Sequence, residues 1–114
     1  MQPDDLVRLQ HMLESARAIR RFVQGRSRDD LETDMQLTLA LVKAIEIVGE
    51  AANQMAEESR SALPDIPWED VIGMRHRLVH AYFDINLDIL WKTAQRDVPF
   101  LIDVIEHFIE SETA

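Results

Sequence analysis

Residues 33–59, TDMQLTLALVKAIEIVGEAANQMAEES, place Leu37, Leu41, Ile45, Val48, Ala52 and Met55 at steps of three and four. That spacing lays one apolar stripe along a helix of period 3.6. A strand would need alternation with a period of two, and no alternating run in the chain lasts beyond a few residues. Thr33 and Gln36 have capping-box spacing, which predicts a helix opening there and running to about Ser59. Gly49 lies inside the stripe, where it costs about 1 kcal/mol against alanine. A neighbour packed closely against it is therefore expected. Glu46 and Glu50 sit four apart on one face. They suit acid–base work as a carboxylate pair, but exposed or inter-subunit charge partners are the simpler reading.

Outward from this helix the same periodicity repeats. Upstream, Leu6, Leu9, Leu13, Ala16, Ile19 and Val23 form a second stripe, with Pro3 suited to a first turn and Gly25 to a stop. Downstream, 63–67 (LPDIP) reads as a turn, and Pro67 fits the opening of a third helix carrying Trp68, Ile72, Val79 and the Tyr82 ring on one side. Asp84 or Asn86 can cap a fourth helix lined by Leu87, Leu90, Trp91 and Ala94. Pro99 then interrupts the backbone hydrogen bonding, so Leu101, Ile102, Ile105, Phe108 and Ile109 belong to the far limb of a kinked helix or to a separate one. An all-α, antiparallel four- to five-helix bundle follows, with 1–114 as a single domain.

Composition narrows the chemistry. With 114 residues and no cysteine, thiolate catalysis, cysteine-ligated metals and disulfides are excluded. No apolar run approaches the roughly 20 residues that cross a bilayer. The opening MQPDD lacks the basic and apolar regions of a signal peptide, so a soluble cytoplasmic protein is expected. The formal net charge is −9, but it is unevenly spread. Residues 1–28 hold six basic and three acidic side chains, and 29–70 hold two basic and eleven acidic. Residues 71–96 hold four basic and two acidic, and 97–114 hold five acidic and none basic. A positive patch can therefore form where the first segment meets the third.

The chemically distinctive segment is 75–82, RHRLVHAY. It sets a fixed cation, two imidazoles and a phenol within about two helical turns. On a straight helix of about 100° per residue, Arg75 and Tyr82 would lie roughly 20° apart, His76 about 100° from Arg75 and His80 about 140°. Arg75 and His80 then do not converge on one atom unless the helix distorts near His80 or two chains face each other about a two-fold axis, the arrangement preferred here. Arginine and histidine without metal suit RNA cleavage. Histidine serves as base on the ribose 2′-OH or as acid on the leaving 5′-oxygen, and arginine stabilises charge at phosphorus. His76 and His80 have the i, i+4 spacing of a metal-binding helix, but the intervening Glu is absent and flanking arginines repel a cation, so no metal is expected. No serine is placed for a Ser-His-Asp arrangement. The plain alternative is structural: an arginine bridging an acidic partner, and Tyr82 as a core ring.

The segment 66–82, IPWEDVIGMRHRLVHAY, resembles the signature of HepT-like proteins in the HEPN superfamily, and 44–52, AIEIVGEAA, is similar to the same family. The likeness extends over nearly the whole chain, including the Trp91 region and Pro99. The resemblance implies a HEPN-like helical bundle that dimerises and builds a metal-independent endoribonuclease site from both subunits, without a cofactor. It also implies a toxin opposed by a MntA-like minimal nucleotidyltransferase antitoxin, as a homodimer or within a larger hetero-oligomer. Arg75 and His80 match the family's catalytic pair, and Tyr82 matches the tyrosine that receives AMP from the partner. His76 stands where relatives often have asparagine, which leaves it a supporting role in proton transfer or hydrogen bonding. The alternative is a noncatalytic helical scaffold for the nucleotidyltransferase, which the acidic total favours.

Overall fold

The computed structural model describes residues 1–81 and 84–113. Its described residues form helices α1 (Pro3–Val23), α2 (Asp30–Thr33), α3 (Met35–Asn53), α4 (Glu57–Ser61), α5 (Trp68–Ile72), α6 (Met74–Leu78), α7 (Leu87–Lys92) and α8 (Val98–Thr113), with a π-helical segment, Thr93–Asp97, joining the last two. The architecture is an all-α bundle. Helix α1 packs against α3 and α8, α3 against α5 and α6, and α6 against α7. One core cluster runs from Leu9 to Ile105, and its most fully buried members include Leu9, Met12, Ile19, Leu41, Ile45, Leu78, Leu90 and Ile102. Each truncation of such a side chain to alanine costs about 2–5 kcal/mol. No helix of the described residues is long and apolar enough to cross a membrane.

The six stripe residues on 33–59 are all buried, yet the helix boundaries differ from expectation. Asp34, not Thr33, caps α3: its carboxylate accepts from the Leu37 N–H at 3.0 Å. The Arg26 guanidinium holds the other oxygen of that carboxylate at 2.7 Å. The helix stops at Asn53, and the acidic run that follows opens a separate short helix, α4. Pro3 occupies the first turn of α1, and Gly25 takes a φ of 73° just beyond its end, where an L side chain would be strained. Asn86, one of the two proposed caps, accepts from the Ile89 N–H at 3.0 Å.

The third helix is the largest departure. It is two pieces joined at Gly73, and their inward residues are Val71, Met74 and Leu78, while Trp68, Ile72 and Val79 are half-buried. The helix ends because Val79 is extended (φ −119°, ψ 114°) and pairs antiparallel with Ile85. The Asn86 N–H donates to the Leu78 carbonyl at 2.8 Å, and the His80 N–H donates to the Asp84 carbonyl at 3.0 Å. Tyr82, expected on this helix, lies outside the described residues.

The consequence of Pro99 is also definite. Its ring cannot donate to the carbonyl four residues back, and just before it the helix widens so that the Val98 N–H reaches the Thr93 carbonyl. The axis continues through a π-helical segment instead of breaking.

Candidate active site

Helix α6 is little more than one turn long. Met74 and Leu78 are its buried anchors at i and i+4, so Arg75, His76 and Arg77 must face outward, and all three are exposed. The helix lies beside α3 because of Gly49. A β-carbon there would stand 3.2 Å from the Val71 carbonyl oxygen and 3.4 Å from that of Ile72, so glycine lets the end of α5 rest on α3. The close neighbour expected from the sequence is this backbone.

That approach brings Arg75 to Glu46. The Arg75 Nε–H donates to Glu46 Oε2 at 3.1 Å, and Lys43 Nζ stands 3.5 Å from the other carboxylate oxygen. Partial burial pushes the Glu46 carboxyl up, but the Lys43 charge and the Arg75 hydrogen bond outweigh it and hold the group below the usual carboxylate range. Glu46 is therefore ionised at neutral pH. The pair is partly exposed, 47% for Arg75 and 26% for Glu46, so it contributes at most about 1 kcal/mol to stability. Its consequence is orientation. With Nε tied down, the terminal nitrogens of the guanidinium, which have no partner among the described residues, can serve as a two-pronged donor for an anion.

Arg75, His76, Glu46, Glu50 and Asn53 line one open concavity of about 330 Å³ over Gly49. Arg77 turns elsewhere, to the Asp70 carboxylate at 3.4 Å and the Asp70 carbonyl at 3.2 Å. His80 is exposed, two residues beyond α6, and does not line this concavity. The structure thus brings Arg75 and His76 together and sets His80 in the following loop. The angular relations calculated for a continuous helix do not apply past Leu78, and the near-stacking of Arg75 with Tyr82 no longer follows. Among the described residues, no group of three or more His, Asp or Glu side chains is arranged to hold a metal ion.

In the sequence Glu46 and Glu50 stand out as a pair, but nothing there links them to the arginine. Glu46 lies 29 positions from Arg75, and its only local signal is the nearby glycine. Exposed Glu50 completes the acidic side of the concavity.

Residues 12–108 match the family model described as Ribonuclease HepT-like. The chain belongs to the HepT-like ribonuclease family. Its relatives agree. It is 33% identical over 93 residues to "Probable ribonuclease HepT" of Thermococcus cleftensis, covering 82% of this chain and 84% of that protein. It is 34% identical over 104 residues to "Putative RNase TTE0752" of Caldanaerobacter subterraneus subsp. tengcongensis, covering 91% and 93%. It is 32% identical over 98 residues to "Putative RNase MJ1380" of Methanocaldococcus jannaschii, covering 86% and 90%. No solved structure matches the chain. The enzyme class of this HepT-like protein is ribonuclease.

Proposed function

We propose that this chain is a metal-independent endoribonuclease toxin, with Arg75 and His80 as catalytic residues of a site shared across a homodimer. The observation that carries the reading is the exposed Arg75 guanidinium, fixed through Nε by Glu46 and open at its terminal nitrogens among the described residues. In the reaction a histidine removes the ribose 2′-OH proton, and the 2′-oxygen attacks the adjacent phosphorus. The P–O5′ bond breaks, the 5′-oxygen leaves with a proton supplied by an acid, and a 2′,3′-cyclic phosphate remains. Arg75 stabilises the charge gathering on the non-bridging oxygens. Exposed His80 serves as the acid or base, and His76, in the concavity with Arg75, supports proton transfer or holds a phosphate oxygen.

In this reading a minimal nucleotidyltransferase silences the toxin by transferring AMP from ATP to Tyr82. The tyrosyl oxygen bonds to the α-phosphorus and pyrophosphate leaves. The added phosphate carries negative charge to the motif and competes with RNA for Arg75. The noncatalytic scaffold draws on the net charge of −9 and on an arginine already paired with an acid.

One experiment separates the two. Wild type and the Arg75→Ala/His80→Ala double variant are expressed without any partner, and growth and total RNA are followed. Growth arrest with RNA loss in the wild type alone supports the nuclease. Healthy cells and intact RNA in both, with folded wild type free of AMP, favour the scaffold. Purified enzyme should keep its activity in chelator, and co-expressed nucleotidyltransferase should silence wild type but not Tyr82→Phe.

A further inference from the structure

The acidic chain carries a cationic concavity that the catalytic reading does not use. Arg28 from the loop after α1, Lys92 at the end of α7 and Arg96 from the π-helical segment line an open hollow of about 560 Å³, together with Trp91, Gln95 and Asp88. Two of the three cations are free of the acids around them, in a chain whose net charge is −9. Arg28 is held between Asp88 at 2.7 Å and Glu32 at 3.2 Å, while Lys92 and Arg96 have no acidic partner within ion-pair distance among the described residues. This is where the basic first segment meets the third, as the charge distribution anticipates.

The π-helical segment makes the hollow. On a straight α-helix Arg96 would stand about 140° from Trp91. The wider turn brings a residue five positions on back toward the same face, and both side chains line one surface. Trp91 is half-buried, packed in part against the core, and its indole N–H makes no hydrogen bond among the described residues.

We infer that this concavity is a second RNA contact, which holds the phosphates of a single strand with Lys92 and Arg96 and stacks a base on Trp91. The inference rests on the ribonuclease reading and adds to it a place where substrate beyond the scissile bond is held. Cations beside a partly exposed aromatic plane suit single-stranded nucleic acid, because phosphate supplies charge and every base supplies a stacking face. The net charge of −9 opposes RNA binding over the surface at large, so a cationic hollow also directs where the strand lands.

The test uses the full chain carrying His80→Ala, so that RNA survives, and a fluorescent single-stranded RNA titrated at several salt concentrations. Lys92→Gln/Arg96→Gln, two exposed substitutions, should weaken binding and flatten the slope of log K against log salt by about 1.4, roughly 0.7 for each phosphate left without its cation. Circular dichroism and Tm should match the parent. RNA should also bind more tightly than inorganic polyphosphate or polyglutamate of similar charge, and Trp91→Phe should retain most of that preference. Unchanged affinity and slope in the double variant, with wild type still cutting RNA, would overturn the inference and leave the ribonuclease reading standing. Equal binding of polyglutamate would reassign the hollow to an acidic protein partner and overturn it too. Wild type that neither cuts nor binds RNA removes both readings together.

Discussion

At the residue scale, Glu46 shows how one carboxylate changes the meaning of a motif arginine. An exposed guanidinium samples many rotamers, and a hydrogen bond to Nε selects among them. Fixing the donor fork before substrate arrives lowers the cost of aligning it in the transition state. Glu46→Ala should therefore reduce kcat/KM for RNA about tenfold, equivalent to roughly 1.4 kcal/mol. Glu46→Gln keeps an acceptor beside Nε and should lose less. Tm should scarcely move in either, because the ion pair is partly exposed. Steady-state kinetics beside thermal melts check this, and faster cleavage by Glu46→Ala would make Glu46 a competitor for the guanidinium.

At the scale of elements, Gly49 and Asp5 each join two helices. The Val71 and Ile72 carbonyls occupy the space over Gly49, and they belong to the backbone that leads into α6. Gly49→Leu should cost about 1–3 kcal/mol by overpacking. It should also lower cleavage beyond what the lost stability explains, since it moves the element that carries Arg75. Chemical denaturation and activity at a temperature where the variant is folded would show both effects.

Asp5 lies in the first turn of α1 and reaches α4, accepting from the Ser59 hydroxyl at 2.6 Å and the Ala56 N–H at 3.2 Å, with Arg8 Nη1 at 2.8 Å. The Ser59 and Arg8 hydrogen bonds outweigh burial and hold its carboxyl below the ordinary aspartate value of 3.8. A depressed folded-state pKa contributes stability that is present above the unfolded value and lost as pH falls through the folded one. Asp5→Asn should therefore melt lower than wild type at neutral pH. The gap should close below pH 3.8, and Tm measured against pH reads this directly. A gap constant with pH would refute the carboxylate's role.

At the scale of the whole molecule, His80 lies outside the concavity that holds Arg75 and His76. In the shared-site proposal, the second chain of an isologous dimer would supply the missing member. Arg75→Ala and His80→Ala should each be inactive alone, and a mixture of the two, exchanged through mild denaturant, should regain part of the activity. Continued inactivity of mixed dimers, verified by sedimentation and tagged-chain capture, would place both catalytic residues within one chain.

The helical class, the buried stripe of α3, the Asn86 cap and the close approach at Gly49 could all be read from the residues. Amphipathic period and capping are local properties, set by neighbours three or four positions apart. Where the motif helix ends could not be read that way, because Val79 leaves it for a partner, Ile85, that helical periodicity does not point to. Nor could the meeting of Arg75 with Glu46, or the hollow that Trp91, Lys92 and Arg96 line with Arg28. Those meetings depend on which helix packs on which, and helical periodicity carries no information about neighbours 29 or 60 positions away. The chemistry of each side chain was legible from the start, and its company was settled by packing.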